Sequence, residues 1–379
     1  MLDREIGTSE RLYFLDWLRI AAFGLLVAYH VGMYYVSWPF HVKSPFASAV
    51  LEPWMKMSSP WRMSLLFLIS GAVTSLLLLQ KPDGFMRSRS RRLLLPLLCG
   101  VVLIVPPQSY FEVVEKFAFD GSYFDFLRLY FGHYKGFCAN DKCLILPTWN
   151  HLWFLPYLWT YTFLLWLLLR GWPDLLDYLA GLAAKLLPGA RLLWMPMLWI
   201  LLIRWTLFKH FPETHDLVHD WFWHTLYLSV FLAGAVFART PGLWARAAYW
   251  RWHALTIAML AWAVFATDAV HGLGYGQRGV VALQQWGALV AVLGFGYAHL
   301  NRDHPWRAYL TDAVFPVYIL HQTLIIVISQ AIKPLEWQPL LEGPVLVFST
   351  LGLSLLAFEL VRQIGFARPF FGLNKPVEI

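Results

Sequence analysis

Two side chains that could carry out chemistry share one face of the first apolar segment, residues 12–36. Arg19 and His30 are eleven residues apart, and eleven helical steps of about 100° end about 20° from where they began. A helix would therefore place both side chains on one stripe, about 16 Å apart along its axis. Asp16 lies one turn before Arg19 on the same side. Such residues inside a membrane span are costly unless they face a wet or protein-lined interior, so the three form a candidate functional site.

His30 is the residue of this stripe best suited to catalysis. A neutral imidazole can take a proton from a hydroxyl group near neutral pH, which is the task of a general base. The competing interpretation is a structural histidine that is hydrogen-bonded inside a helix bundle. The companions Arg19 and Asp16 favour the catalytic assignment of all three residues.

A run of arginines precedes the third apolar segment. Arg87, Arg89, Arg91 and Arg92 are close together in the sequence, and two interpretations of them are open. Basic residues commonly anchor the cytoplasmic end of a membrane helix, but guanidinium groups also match the oxygens of phosphate groups. In the second interpretation Arg89, Arg91 and Arg92 hold an anionic ligand on the cytoplasmic face, while the base lies deeper in the membrane.

Further polar and aromatic side chains in or beside the apolar segments could contact a substrate. His151 opens the fourth segment, and His321 lies near the middle of the ninth, one turn from Tyr318. Arg62 lies at the start of the second segment, and Trp153 belongs to a group of tryptophans near the outer surface. Each histidine could equally be a hydrogen-bonded core residue, and the tryptophans could be membrane anchors. Other polar residues within the apolar segments are Arg204, Gln284, Gln285 and Glu359.

The composition is that of a membrane protein. Hydrophobic residues make up 59% of the 379 residues and charged residues only 14%, against about 25% charged residues in soluble domains. The 21 tryptophans suit a protein with many membrane interfaces. The net charge of +7 does not indicate a nucleic-acid partner, because the basic residues follow the membrane topology. The three cysteines do not indicate a metal site.

The elements that must position these residues are membrane helices. Ten apolar stretches are candidates to cross about 30 Å of hydrocarbon, and they lie at residues 12–36, 58–80, 93–110, 150–170, 192–208, 221–238, 253–270, 279–299, 308–332 and 344–361. With alternating loops, 18 basic residues fall on the side of the termini and 10 on the opposite side. The positive-inside rule then predicts that both termini are cytoplasmic. The sequence thus predicts an all-α, polytopic membrane helix bundle, with one domain over residues 1–379.

The longest outward-facing loop, residues 111–149, contains two of the three cysteines. Cys138 and Cys143 are close in sequence, and an outward loop would lie in an oxidising compartment, which favours a small disulfide. Two free thiols are the alternative.

Five sequence blocks, taken together, resemble the membrane acyltransferase 3 family. In chain order they are YFLDWLRIAAFGLLVAYH, LLFLISG, the pair Arg89 and Arg92 followed by Pro96, NHLWFL, and VYILHQTLI. They extend over most of the chain. RLYFLDWLR, HVKSP, WRM and HLWFL are similar to the glucan biosynthesis protein C branch of this family, whose members are associated with adding succinyl groups to periplasmic glucans.

The resemblance implies a multi-pass O-acyltransferase of the bacterial inner membrane. The implied donor is cytoplasmic acyl-CoA, as succinyl-CoA or acetyl-CoA, and the implied acceptor is a hydroxyl of a periplasmic or cell-surface glycan. Arg19 and His30 match the paired first-helix motif, with His30 as the base, and Arg89 and Arg92 match the basic pair near the acyl-CoA. The expected partners are membrane lipids and the glycan, with neither nucleic acid nor a metal.

A second class of protein also keeps polar residues at mid-membrane. Secondary transporters do so, and they commonly show a repeat between the two halves of the chain together with broken helices. Inspection of the sequence shows no such repeat. A purely structural subunit needs no intramembrane charges, so Arg19 and Arg204 disfavour it. Acyl-CoA hydrolysis that depends on His30 would distinguish the enzyme from both alternatives.

Overall fold

The chain folds almost entirely into helices. The computed structural model describes residues 11–80, 83–139, 142–267, 272 and 274–373. Its α-helices, numbered in chain order, are α1 (Tyr13–Tyr35), α2 (Glu52–Ser58), α3 (Arg62–Gln80), α4 (Phe85–Cys99), α5 (Pro106–Phe117), α6 (Tyr123–Phe131), α7 (Phe154–Gly171), α8 (Leu175–Leu186), α9 (Arg191–Thr206), α10 (Trp221–Phe237), α11 (Leu243–Ala266), α12 (Tyr275–Leu300), α13 (Pro305–Ile332) and α14 (Pro339–Gln363). The all-α prediction is confirmed for this part of the chain.

The predicted count of ten membrane spans is not confirmed. Within the described residues, six helical segments are long and apolar enough to cross a membrane, or eight if two bent helix pairs each form one span. The pair α4 and α5 is bent by 42°, and the pair α8 and α9 by 113°. The two remaining predicted spans correspond to α10, which has only 17 residues, and to α11, whose first half carries two arginines.

The predicted orientation of the termini stays a prediction. The structure contains no membrane, and Arg4, Lys81 and Lys375, which contributed to the count of basic residues, lie outside the described residues.

Helix α1 lies within the bundle, where it packs against α3, α12, α13 and α14. Its buried face includes Phe14, Leu18 and Leu26, which join a continuous apolar core formed with side chains from most other helices. Both ends of α1 are therefore held by neighbouring helices, and the stripe that carries Arg19 and His30 faces protein.

Helices α3 and α10 approach each other at two glycines. A Cβ atom added at Gly71 would lie 1.8 Å from the carbonyl oxygen of Phe231, and one added at Gly234 would lie 1.9 Å from that of Leu68. Small residues allow membrane helices to pack backbone against backbone. This close contact fixes the position of α3, which begins at Arg62.

The loop between the third and fourth predicted spans forms a small subdomain. Helices α5 and α6 pack around Val113, Phe126 and Tyr130, followed by a short antiparallel pair of strands, β1 (Cys138–Ala139) and β2 (Lys142–Cys143). In the structure a disulfide joins Cys138 to Cys143, the two residues paired across these strands.

Candidate functional site

A cavity of about 1040 Å³ lies beside His30. This volume is at the upper end of the range that small-molecule sites occupy, roughly 300–1,000 Å³. Side chains from at least seven helices line it, and the residues singled out from the sequence that it includes are His30, Arg62, His151, Trp153, Arg204 and Tyr318. The structure therefore brings most of the candidate base and substrate-binding residues to one place.

His30 is paired with a second histidine. Its Nδ1 lies 2.8 Å from Nε2 of His321, and Nδ1 of His321 lies 2.7 Å from the carbonyl oxygen of Tyr318. A carbonyl oxygen can only accept a hydrogen bond, so His321 carries its proton on Nδ1 and, as a neutral ring, accepts at Nε2. Nδ1 of His30 is then the donor, which leaves Nε2 of His30 without a proton. This is the form of the ring that a general base needs.

The position of His321 differs from the predicted one. The side chain is fully buried, and it is not among the residues that line the cavity. A contact between His321 and a substrate is therefore not supported. Its contacts are those of a positioning residue, which orients His30 from behind.

His151 and Tyr318 hold the neighbouring wall of the cavity. The Tyr318 hydroxyl donates to the carbonyl oxygen of His151 at 2.7 Å, and Nε2 of His151 donates to the carbonyl oxygen of Ile319 at 3.0 Å. Both side chains are buried, yet both line the cavity. These bonds join the start of α7 to α13 and fix the depth at which a substrate would meet His30.

Asn150 forms part of this wall and Gln108 contacts it, and the sequence analysis did not find either residue. Gln108 is fully buried; its amide nitrogen lies 3.3 Å from Nδ1 of His151, and its amide oxygen accepts from Asn150 at 3.2 Å. The backbone of Asn150 is in the left-handed region, with φ of 41°, which asparagine tolerates better than most residues. A lone amide within the apolar segment 93–110 was the signal that could have indicated Gln108.

Arg62 and Trp153 line the cavity as the sequence analysis expected. The Arg62 guanidinium lies 3.2 Å from the centre of the Tyr29 ring, and its Nε and Nη1 atoms are buried without a hydrogen-bond partner. Trp153 stacks on the ring of His215 at 4.4 Å between centroids. The cavity thus combines an aromatic wall with the cationic group of Arg62, of which Nη2 is the nitrogen that is not fully buried.

A loop between α9 and α10 closes one side of the cavity with Glu213, Thr214 and His215. Asp216 stabilises this loop by accepting hydrogen bonds from the backbone N–H groups of Val218 and His219 at 2.9 and 2.7 Å. Burial raises the pKa of Asp216, but these backbone bonds and the His219 side chain outweigh it and hold the pKa at about 2. The carboxylate therefore stays charged at physiological pH.

Arg19 and Asp16 lie away from this cavity, since neither residue lines it. Asp16 pairs with Arg19 at 3.5 Å, as expected for neighbours one turn apart on a helix. It also pairs with Arg307 at 2.7 Å. The second contact links α1 to α13. Arg19 and Asp16 therefore lie apart from His30 along the axis of α1.

Arg19 instead belongs to a group of arginines that includes the pair on α4. The charge of Arg92 acts on both Arg19 and Arg89, and Asp312 is the carboxylate close enough to act on Arg19 and Arg92. The Nε atoms of Arg19 and Arg89 are buried without a hydrogen-bond partner. Asp16 and Asp312 are the two carboxylates near these three guanidinium groups, and Asp16 is shared with Arg307, so positive charge is left for an anionic ligand.

A second cavity, of about 490 Å³, adjoins this group. Arg87, Arg91 and Arg92 line it together with residues that follow α14. Of the three residues predicted to bind the donor, Arg91 and Arg92 reach this cavity and Arg89 does not. Candidate phosphate-binding residues therefore lie at one end of α1 and the candidate base near the other.

Comparison with known proteins identifies the family. Residues 12–359 match the model of the acyltransferase 3 family, described as an acyltransferase domain. The proteins called Glucans biosynthesis protein C from Escherichia coli K12, SMS-3-5 and O81 (strain ED1a) are each 26% identical to this chain over 392 aligned residues, which cover 97% of this chain and 96% of each relative. No solved structure matches. Because the family match covers most of the sequence, the chain belongs to the acyltransferase 3 family and is a multi-pass membrane enzyme that transfers acyl groups.

Proposed function

We propose that this enzyme transfers an acyl group from acyl-CoA to a hydroxyl of a glycan, with His30 as the general base. The observation that carries the proposal is the hydrogen-bonded series from His30 through His321 to the Tyr318 carbonyl, which leaves Nε2 of His30 as a proton acceptor beside a large cavity. A base held in one tautomer is ready to accept a proton without first reorganising.

The proposed reaction needs one base and an activated donor. The glycan oxygen attacks the thioester carbonyl carbon while its proton passes to Nε2 of His30. The tetrahedral intermediate then breaks its carbon–sulfur bond, and the departing thiolate takes the proton back from His30. The products are a glycan ester and the free thiol of coenzyme A, so the base is regenerated.

The arginines at the opposite end of α1 support acyl-CoA as the donor. Nucleotide phosphates at Arg89, Arg91 and Arg92 would leave the pantetheine arm free to extend past Arg19 toward His30, over about 16 Å of helix. This arrangement would let an acyl group cross much of the bilayer while the nucleotide stays on the cytoplasmic side of the bacterial inner membrane. Succinyl-CoA and acetyl-CoA are the two donors that we propose.

The cavity wall and the relatives support a glycan as the acceptor. Several aromatic side chains line the cavity, among them Trp149, Trp153 and Trp223, and aromatic rings of this kind commonly pack on sugar rings. The similar proteins carry glucans in their names, and in our proposal the acceptor is likewise a periplasmic or cell-surface glycan.

The test uses purified protein with labelled acyl-CoA and a glucan oligosaccharide. His30→Ala removes the base, and we expect the transfer rate to fall about 10²–10⁴-fold, the usual contribution of general acid–base catalysis. The affinity for acyl-CoA, measured by calorimetry, should change little, because the arginines that hold the phosphates lie near the other end of α1. A folded His30→Ala protein that binds the donor and transfers at the wild-type rate would refute the role of His30. A wild-type protein that neither transfers nor hydrolyses acyl-CoA would favour the transporter.

A further inference from the structure

The cavity beside His30 contains guanidinium groups that no carboxylate neutralises. Arg62 and Arg204 both line it, and neither forms an ion pair with a carboxylate among the described residues. A buried guanidinium is costly to desolvate unless an anion pairs with it. Arg62 and Arg204 in one cavity, which Arg278 also lines, therefore indicate a ligand with negative charge.

Arg204 is held in place by a network that leaves part of its fork free. The residue is only 5% exposed, and its Nε and Nη2 atoms donate to the amide oxygen of Gln285 at 3.2 and 2.6 Å. Gln285 in turn donates to Ser64 at 2.7 Å. A neutral amide orients the guanidinium but does not cancel its charge, so the remaining Nη1 group is available to the cavity.

Arg62 is held by a different contact, which also leaves part of its guanidinium group without a hydrogen bond to the protein. Its guanidinium packs over the Tyr29 ring, and its Nε and Nη1 atoms are the ones that lack a hydrogen-bond partner. Tyr29 directly precedes His30, and the charge of Arg62 acts on His30. Because Nε and Nη1 are inaccessible, Nη2 is the donor with which Arg62 would meet a ligand close to the proposed reaction centre.

The carboxylates that line the cavity are already used elsewhere. Glu112 accepts from Lys116 at 2.6 Å and lies 2.5 Å from the ring of His41. Glu213 lies 2.9 Å from the imidazole of His215. Neither acidic side chain pairs with an arginine in the described part of the chain, so both guanidinium groups keep their charge for a ligand.

Tyr227 places the two arginines in the same region of the cavity. The charge of Glu213 acts on the Tyr227 hydroxyl, followed by those of Arg62, Asp220 and Arg204. The Tyr227 side chain lines the cavity and forms no hydrogen bond with the described residues. Its ring stacks on those of Trp153 and Trp223. A phenol and two guanidinium forks on an aromatic wall form a set of donors suited to a carboxylate or a phosphate.

We propose that Arg62 and Arg204, with Tyr227, form an anion subsite that binds a carboxylate or phosphate group of the substrate beside the reacting atoms. This inference rests on the proposed function and specifies the substrate class. The anion has two chemical sources: the free carboxylate of a dicarboxylic acyl group, as in succinyl-CoA, or a phosphate substituent on the glycan acceptor.

The experiment compares four reactions of the purified enzyme. The donor is succinyl-CoA or acetyl-CoA, and the acceptor is a neutral glucan oligosaccharide or the same oligosaccharide with one phosphate monoester. Arg62→Gln and Arg204→Gln should each lower kcat/KM about 10- to 100-fold for the reactions that include the recognised anion, the usual effect of losing a hydrogen bond to a charged group. Reactions without that anion should change much less.

The pattern of losses identifies the source. If the variants lose kcat/KM in both reactions with succinyl-CoA, whichever acceptor is used, the subsite binds the acyl group. If they lose kcat/KM in both reactions with the phosphorylated acceptor, whichever donor is used, the subsite binds the glycan. An equal loss in all four reactions, as an oxyanion-stabilising role would give, or no loss in any of them, overturns the proposal. Arg128→Gln is the matched control, because Arg128 is 85% exposed on α6 and should not alter any reaction.

Two further measurements keep the inference separate from folding and from the proposed function. Arg62→Gln alone decides the result if Arg204→Gln fails to fold, because the Arg62 guanidinium donates to no described residue. If the wild-type protein transfers no acyl group, the proposed function fails, and thermal stabilisation by succinate or inorganic phosphate then tests the subsite. Stabilisation that is lost in Arg62→Gln supports the subsite, and stabilisation by neither anion refutes it.

Discussion

At the scale of single residues, the chemistry of His30 depends on which of its ring nitrogens carries the proton. The carbonyl oxygen of Tyr318 determines the protonation of His321, and His321 in turn determines that of His30. A third group that orients a catalytic histidine recurs in enzymes with unrelated folds. In this protein the side chain of His321 on α13 contacts His30 in this way, and the backbone oxygen of Tyr318 in turn orients His321.

Substitution of His321 tests this arrangement. His321→Leu removes the acceptor for His30, and we expect kcat to fall roughly tenfold or more, as a lost buried hydrogen bond would give, while KM for acyl-CoA stays nearly unchanged. His321→Gln should recover part of the activity, because its amide can still accept from His30 and donate to the Tyr318 carbonyl. Steady-state kinetics of both variants provides the measurement.

The two variants separate positioning from packing. If His321 only fills space, the apolar leucine should be tolerated at least as well as glutamine, and any fall in apparent kcat should disappear when the rate is divided by the amount of folded protein. Equal activity of His321→Leu and the wild type would contradict the positioning role.

The sequence indicates which residues could belong to the site better than it indicates which residues they contact. Arg19, His30 and Asp16 belong to one helix, so their mutual placement followed from helical geometry alone. His321 is 291 positions from His30, and no local pattern relates two residues that far apart. Asp16 was assigned to catalysis because it shares a stripe with His30, but its contact with Arg307 depends on how α13 packs against α1.

At the scale of elements, the ten predicted segments correspond to helices, but length and bending determine how many can cross a membrane. Apolar residues at helical spacing are readable from sequence. The angles of the bends between α4 and α5 and between α8 and α9 cannot be predicted from this spacing, because they depend on how each helix packs against its neighbours. Segment 192–208, the shortest of the ten, and segment 221–238 are among those that the structure does not support as simple spans.

The contact between α3 and α10 gives a prediction at this scale. Gly71→Ala would place a methyl group 1.8 Å from a backbone oxygen of α10, so the helices must separate, and overpacking of this kind costs about 1–3 kcal/mol. We expect a lower Tm and less folded protein in detergent, measured by thermal unfolding. Gly352→Ala on α14 is the control, since nothing lies within 4 Å of the added atom. A Tm for Gly71→Ala equal to that of the control would mean that α3 and α10 are not in backbone contact.

At the scale of the whole molecule, helix α1 connects two sites with different chemistry. Arginines of α4 line one cavity, near Arg19 of α1, and His30 of α1 lines the other together with His151, which precedes α7. A charged donor and a neutral sugar hydroxyl could therefore approach from opposite sides and meet within the protein. The short sequence blocks that resemble the family predicted different roles for the arginines and the histidines. The hydrogen bonds between these blocks could be seen only in the structure.

The central claim is that the enzyme esterifies a cell-envelope glycan and needs His30 to do so. Mass spectrometry of envelope glycans from cells that express the wild-type protein, the His30→Ala variant or no protein tests it most directly, with immunoblotting to establish equal membrane levels of the two proteins. We expect acyl esters on a glycan only in cells with the wild-type protein, and the mass added per ester will identify the acyl group. Identical glycan spectra in all three cell types would contradict the proposed reaction, and equal acylation by the His30→Ala variant would contradict the role of His30.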